Sequence, residues 1–373
     1  MNLALSEEQV LLREAARGAL SRVNTVAAAR DALEGEELPD LWSTAREAGW
    51  PGLLIDEKHG GAELGAFDAM LVMAECGRVL ASVPLLGHLP ATSILNAASG
   101  PELESLASGQ RRAAYLPARP PGDVLSTWSS EAQAGKHRAE PLRLEGDAVS
   151  GEVAWAPDAA GADVLVGVAV GDDGAPAGVA IDPGANGVSI ESALAYDATH
   201  PLAHVRLKRA PATRLPTEAG ELAATWFLAH ALIAAESLGA VETALEMSVA
   251  YAKERYTFGR AIGSYQAVKH ALVEVLRRLE NTRSLLYYAG WARDGAPQEF
   301  PLAASAARSA AGRALDYAAR ELISVHGGIG ATWEHDAPLY FRRAQLSRRL
   351  LGGTADATDR VADQLLHAVS AAA

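Results

Sequence analysis

The chain has 373 residues, 49% hydrophobic and 21% charged, which is globular material for two or three folded units. With 34 Gly, 18 Pro and the single Cys76, these proportions exclude a disordered chain, a disulfide-rich secreted scaffold and a collagen-like repeat. The balance of 33 basic to 46 acidic residues, net −13, argues against nonspecific nucleic-acid binding, which needs a basic surface to neutralise phosphates.

The start of the chain, Met1 to Gln9, is polar and acidic rather than basic then apolar, so it does not read as a signal peptide. No uninterrupted apolar run approaches the ~20 residues of a membrane span. The expected location is the cytoplasm. Ser6 and Gln9 form a capping-box pattern, followed by Val10, Leu11, Ala15, Leu20 and Val23 at about one apolar residue per turn. A second helix is expected over Leu38–Ala48, ended by the Gly-Trp-Pro-Gly run at 49–52, and a third over Ala66–Leu80.

At Leu116-Pro-Ala-Arg-Pro-Pro-Gly122 three prolines forbid a continuing helix. Short β-like runs follow, among them 148–153, 164–170, 178–181 and 204–207. From Gly220 long helical patterns return: a stripe from Leu232 to Ala252, one beginning near Ser264 as N-cap, an Ala-rich one from Pro301 to His326 stopped by Gly327, and one after Thr354. The predicted fold class is α+β, with an N-terminal helical domain (1–115), a middle antiparallel β domain (116–216) and a C-terminal four-helix bundle (217–373).

Two stretches carry chemistry. In residues 252–270, Arg255, Thr257 and Phe258 sit at a helix end and Gln266 lies one turn into the next helix. Arg and Thr bind phosphate oxygens, Phe packs on a planar ring, and a helix N-terminus favours an anion. In residues 325–335, Gly327, Gly328 and Gly330 let a ligand approach the backbone. Taken singly, each is equally a helix–helix turn with an Arg cap or a Gly-terminated helix. Together, on an α–β–α layout, the chain resembles the acyl-CoA dehydrogenase family over essentially its whole length. The family's R-x-x-F-G signature is matched by Arg255, Phe258 and Gly259, and its Gly-Gly-x-Gly turn by Gly327, Gly328 and Gly330. Further matches are His59-Gly60-Gly61, Glu75-Cys-Gly-Arg78 and Tyr196-Asp-Ala-Thr199.

The resemblance implies a flavoprotein that holds FAD between the β domain and the helices. Its substrate is an acyl-CoA thioester, and an electron-transfer flavoprotein or similar acceptor takes the electrons. A carboxylate removes the α-proton while the β-hydrogen leaves as hydride. It also implies that Arg255, Thr257, Phe258, Gln266, Gly327 and Gly328 contact the ADP portion of a neighbouring subunit's FAD, and that Trp155 lies near the isoalloxazine.

Departures from the family pattern are informative. Its usual base, a Glu before Gly-Thr, falls on Gly352, and the alternative base position falls on Ala229 beside His230. The flavin loop expected after Tyr115 is replaced by residues 116–123, Pro157 stands where a hydroxyl donor is expected, and Ser324 replaces a Gln. Glu236 is the surviving candidate base: two turns beyond Ala229 in an apolar run, its pKa is expected to rise. The alternative is a Glu bonded to a neighbouring helix or to solvent, and a lone His230 is read as a satisfied core residue. Glu334 and His335 read as interface contacts, and no ligand spacing suggests a metal.

Three functions follow. The leading one is a subunit of an α2β2 acyl-CoA dehydrogenase that completes the FAD site while a homologous partner supplies the base. The second is a self-sufficient homo-oligomer using Glu236. The third is a non-enzymatic acyl-CoA-binding or scaffold protein.

Overall fold

A computed structural model describes residues 4–117 and 142–372. Helix α1 (Glu7–Leu20) begins at the expected capping box: Gln9 N–H donates to Ser6 Oγ at 3.2 Å and Ser6 N–H to Gln9 Oε1 at 3.1 Å. It is followed by α2 (Thr25–Asp31), α3 (Trp42–Glu47), α4 (Ala66–Arg78), α5 (Leu85–Ala97) and α6 (Leu103–Ala107). The helix expected over Leu38–Ala48 is only α3, because the Asp40 carboxylate takes the Trp42 N–H at 2.9 Å and starts the helix late. Helix α5 was not legible. It is buried almost all round and carries Pro90, so it shows no stripe.

The sheet contains β1 (Ala113–Leu116), β2 (Leu142–Glu145), β3 (Ala148–Pro157), β4 (Val164–Gly171), β5 (Pro176–Ile181), β6 (Val188–Ala193) and β7 (Leu202–Leu215). β7 pairs antiparallel with β3, β5 and β6. The expected antiparallel domain needs one correction, since β1 and β2 both run parallel to β4. All four residues of β1 are buried, and it arrives from the helical domain under α5, where Ala113 N–H donates to His88 Nδ1 at 3.1 Å. The continuous apolar run of β4 fits a strand covered on both faces. Of the proline-rich stretch, residues 118–123 lie outside the described residues.

The C-terminal part comprises α7 (Ala219–Glu254), a hairpin of β8 (Tyr256–Thr257) and β9 (Arg260–Ala261), α8 (Gln266–Gly295), α9 (Phe300–His326), α10 (Ala337–Ser347) and α11 (Gly353–Ala372). The four expected long helices are α7, α8, α9 and α11. The expected N-cap Ser264 instead lies in a 3-10 turn, and Tyr265 caps α8. Helix α7 is long and apolar enough to cross a membrane, yet 94% of its apolar window is buried inside the fold. It crosses α4 where two glycines face the opposing backbone. A Cβ at Gly77 would strike the Glu236 carbonyl oxygen, and one at Gly239 the Ala74 carbonyl oxygen. This contact places Glu236 at the centre of the molecule.

Candidate active-site cleft and cofactor arm

A cavity of about 190 Å³ opens between β3, segment 194–196 and the end of α10. Trp155, Tyr196, Leu202, Leu350 and Leu351 line it, with Arg349 and Pro117 at its edge. Trp155 has φ +59 and meets His204 edge-on, with ring centroids 4.6 Å apart. After α10 the chain takes three consecutive residues with positive φ, Leu351 (φ +50), Gly352 (φ +80) and Gly353 (φ +75). The residue in the base position, Gly352, has no side chain to take a proton. Ala229 is buried, and His230, also buried, donates from Nε2 to the Leu351 carbonyl at 2.9 Å. Among the described residues that line the cleft there is no Asp, Glu or His.

Glu236 does not line the cleft. It is 1% exposed and bound in an ionic network with α10 and the 197–200 loop. His200 Nε2 donates to Glu236 Oε2 at 2.9 Å, and Arg343 Nη1 lies 2.7 Å from Oε1 as a close ion contact rather than an aligned hydrogen bond. Arg343 also donates from Nε to Asp197 Oδ2 at 2.6 Å and from Nη2 to the Thr199 hydroxyl. The expected rise in the Glu236 pKa is not found. Burial does push the carboxyl up, but Arg343 and then His200 outweigh it, and the net pKa lies below the usual glutamate value. Asp197 is held low in the same way, with burial opposed by Arg343 and His200. The carboxylate is therefore kept ionised and occupied, the opposite of a base poised near neutrality.

The sequence pattern missed Arg343, Asp197 and His200. The signal was faint: an Asp-x-Thr turn, in which Thr199 N–H donates to Asp197 Oδ1 at 2.9 Å, and an Arg pair at 342–343. Arg342 faces outward, donating to the Tyr196 carbonyl at 2.8 Å and lying 4.3 Å over the Tyr196 ring. The two arginines thus hold the lip of the cleft from both sides.

The arm is built differently. β8 and β9 pair around Phe258 and Gly259, whose φ values of +50 and +78 are those a tight two-residue hairpin requires. Arg255, Thr257, Phe258 and Gln266 are all exposed, as are Gly327 and Gly328 at the end of α9. Phe258 is 94% exposed. A phenylalanine in left-handed backbone with its ring in water is unfavourable on two counts, which fits a side chain covered by another molecule. Gln266 opens the 30-residue α8, whose N-terminal N–H groups favour a pyrophosphate.

Helical layers enclosing a mixed sheet, a cleft with an aromatic floor, and an exposed cationic and aromatic arm define the class of flavin-dependent acyl-thioester dehydrogenases. The N-terminal domain profile of acyl-CoA dehydrogenases matches residues 6–118 and the C-terminal domain profile residues 220–366. The chain is 32% identical over 349 residues to acyl-CoA dehydrogenase IpdE2 of Mycobacterium tuberculosis, covering 92% of this chain and 93% of that one. Its structure matches a Tcur3481–Tcur3483 steroid acyl-CoA dehydrogenase variant with TM-score 0.84 and 29% identity, over 98% of this chain and 99% of that one. The ChsE4–ChsE5 complex from Mycobacterium tuberculosis shares the fold, with TM-score 0.83 and 22% identity over 98% and 99% of the two chains. The chain belongs to the acyl-CoA dehydrogenase family, FAD-dependent oxidoreductases acting on CH–CH bonds.

The residues present fit FAD unevenly. The exposed arm suits the ADP portion, and Trp155 on the cleft floor suits a flat ring. The cleft volume of about 190 Å³ falls below the roughly 300 Å³ at which small-molecule pockets usually begin.

Proposed function

We propose that this chain is the completing subunit of a hetero-oligomeric acyl-CoA dehydrogenase. In this reading its arm binds the ADP portion of FAD across an interface, and a homologous subunit, in an α2β2 assembly, supplies the catalytic base. The observation that carries the reading is that a cleft with no Asp, Glu or His among the described residues lining it coexists with an exposed arm. FAD supplies the hydride acceptor when bound. This chain's own part is to orient it: Arg255 and Thr257 toward phosphate oxygens, Phe258 against a ring, and Trp155 along the cleft floor. Glu236 serves as a positioning residue that fixes α10 and the 197–200 loop. The two-chain name of the Tcur3481–Tcur3483 relative, 29% identical, supports the heteromeric reading and suggests bulky, steroid-like acyl thioesters as the substrate class. An electron-transfer flavoprotein or similar protein would accept the electrons, in a cytoplasmic location.

The test is co-expression with the product of a neighbouring acyl-CoA dehydrogenase gene, followed by a visible spectrum and the mass of the complex. A yellow heteromer that reduces its flavin with acyl-CoA, beside an inactive lone chain, is expected. A colourless heteromer, or a lone chain active with its own flavin, overturns the reading.

A further inference from the structure

The turn that replaces the base is strained, and the means of holding it lie outside the cleft. Leu351, which lines the cavity, is a non-glycine residue in left-handed backbone, a conformation that persists only where its surroundings enforce it. From α9, the side chain of Arg308 reaches beneath this turn. It is 0% exposed, and among the described residues it makes no ion pair with a carboxylate and its Nε and Nη1 make no hydrogen bond. Its Nη2 donates to the Ser347 carbonyl and, at 3.2 Å, to the Leu350 carbonyl.

Ser347 is the last residue of α10, so the guanidinium sits on the unsatisfied carbonyls and the negative end of that helix. The helix end therefore adds to the favourable charge of the buried Glu236 carboxylate. Burial lowers the Arg308 pKa only to about 10, so the group stays charged at neutral pH. The opposite end of α10 is capped too, with Ala337 N–H donating to His335 Nδ1 at 3.0 Å. The helix is thus fixed at its start by His335, in its middle by Arg343 and at its end by Arg308. His230 holds the Leu351 carbonyl directly.

We propose that Arg308 is a positioning residue of the cleft: by capping α10 from α9 it holds the Leu350–Gly353 wall in its positive-φ course, with His230 as the second anchor. A purely apolar residue of the same shape would fill the space without satisfying the Ser347 carbonyl, would leave the Leu350 carbonyl only the Gly353 N–H, and the wall would relax. The charge is what the site needs, which distinguishes this role from simple packing. The inference rests on the proposed reading only insofar as the wall faces flavin.

Two measurements test it. Hydrogen exchange on the full-length chain follows the Thr354 amide, which bonds to the Arg348 carbonyl, together with residues 350–353. Arg308→Met should speed their exchange about tenfold, while Arg308→Lys restores much of the protection. In the flavin-loaded complex, Arg308→Met should also shift the flavin visible band and weaken flavin binding about tenfold, with Arg308→Lys again intermediate. Exchange in the Met variant equal to that of the unaltered chain overturns the proposal, as does a Lys variant no better than Met. Should Arg308→Met fail to fold, His230→Phe removes the second anchor, and unchanged exchange at 350–354 then overturns the two-anchor account. If the unaltered complex carries no flavin, the functional reading fails while the exchange data still decide the role of Arg308.

Discussion

The cleft and the arm of this chain serve one cofactor chemistry by opposite physical means. At the cleft, the buried titratable groups His230, Glu236 and Arg308 are turned inward and occupied. His230 is tied to a carbonyl, Glu236 to Arg343 and His200, and Arg308 to the end of α10. At the arm, Arg255 and Phe258 face solvent, and the hairpin, with Tyr265 bonded to the Thr257 carbonyl and stacked under Arg260, fixes the geometry. In the proposed reading, the contrast separates lost chemistry from kept recognition within one fold: the region whose polar groups satisfy one another acts as scaffold, and the exposed region awaits a partner molecule.

The largest test of that contrast is Glu236→Gln. Removing one partner of a fully buried ion pair costs about 3–5 kcal/mol, because Arg343 keeps its charge and loses one of its two buried counter-ions, leaving Asp197 alone. A large fall in the urea midpoint is expected. A variant as stable as the unaltered chain but unable to reduce flavin would break the comparison, since Glu236 would then be chemistry rather than scaffold. The pH dependence follows from the same pair. The lowered pKa values of Glu236 and Asp197 give stability that is present above the ordinary carboxylate range and is lost as pH falls through their folded values.

A smaller effect comes from two buried groups on the cleft side. His88 donates to the Pro51 carbonyl and accepts from Ala113 N–H, so it must be neutral, and burial lowers its pKa to about 4. Its contribution, up to about 3 kcal/mol, is full above pH 6.5 and disappears as pH falls to about 4. Burial raises Asp158 to about 6, so its contribution has the opposite sign, present at acid pH and lost as pH rises through about 6. The two nearly cancel between pH 4 and 6. Compared with the unaltered chain, His88→Asn should lose the His88 term, so that the difference in stability between the two grows in the variant's favour as pH falls through that window. An unchanged difference across pH 4 to 6 would show that His88 is not held neutral.

What the sequence disclosed divides along the same line. The arm was legible because its residues are neighbours: Arg255 to Gln266 form one hairpin and one helix start, so spacing alone encodes the geometry. The stripes of α1, α8 and α9 were legible for the same local reason. Helix α10 and the ionic network were not. Arg343 meets Asp197 across 146 residues, and no local period reports such a contact. The fate of Glu236 turned on that distant arginine. An apolar run correctly implied burial, but burial without knowledge of the partner gave the wrong sign for its pKa.

A third test puts a carboxylate back. Gly352→Glu places a side chain at φ +80, at a cost of about 1–2 kcal/mol for a left-handed residue. The chain should fold with a modestly lower melting temperature. It should not bleach flavin with acyl-CoA when expressed alone, because Leu350 and Leu351 still occupy the cleft wall. Turnover by the lone variant would show that only the carboxylate was missing, and the scaffold account of the cleft would fail.

The smallest expected change in stability belongs to the arm, where it sharpens the contrast most. In Phe258→Ala, almost no ring contact is lost from a side chain 94% exposed, so stability should move by less than about 0.5 kcal/mol. Flavin affinity of the complex should still fall about threefold to tenfold, the worth of one aromatic contact. A buried residue cannot show this split, because its removal damages fold and function together. If instead Phe258→Ala melts early while flavin stays bound, the ring is packing against its own chain. The arm would then be scaffold like the cleft, and the two regions would no longer differ in kind.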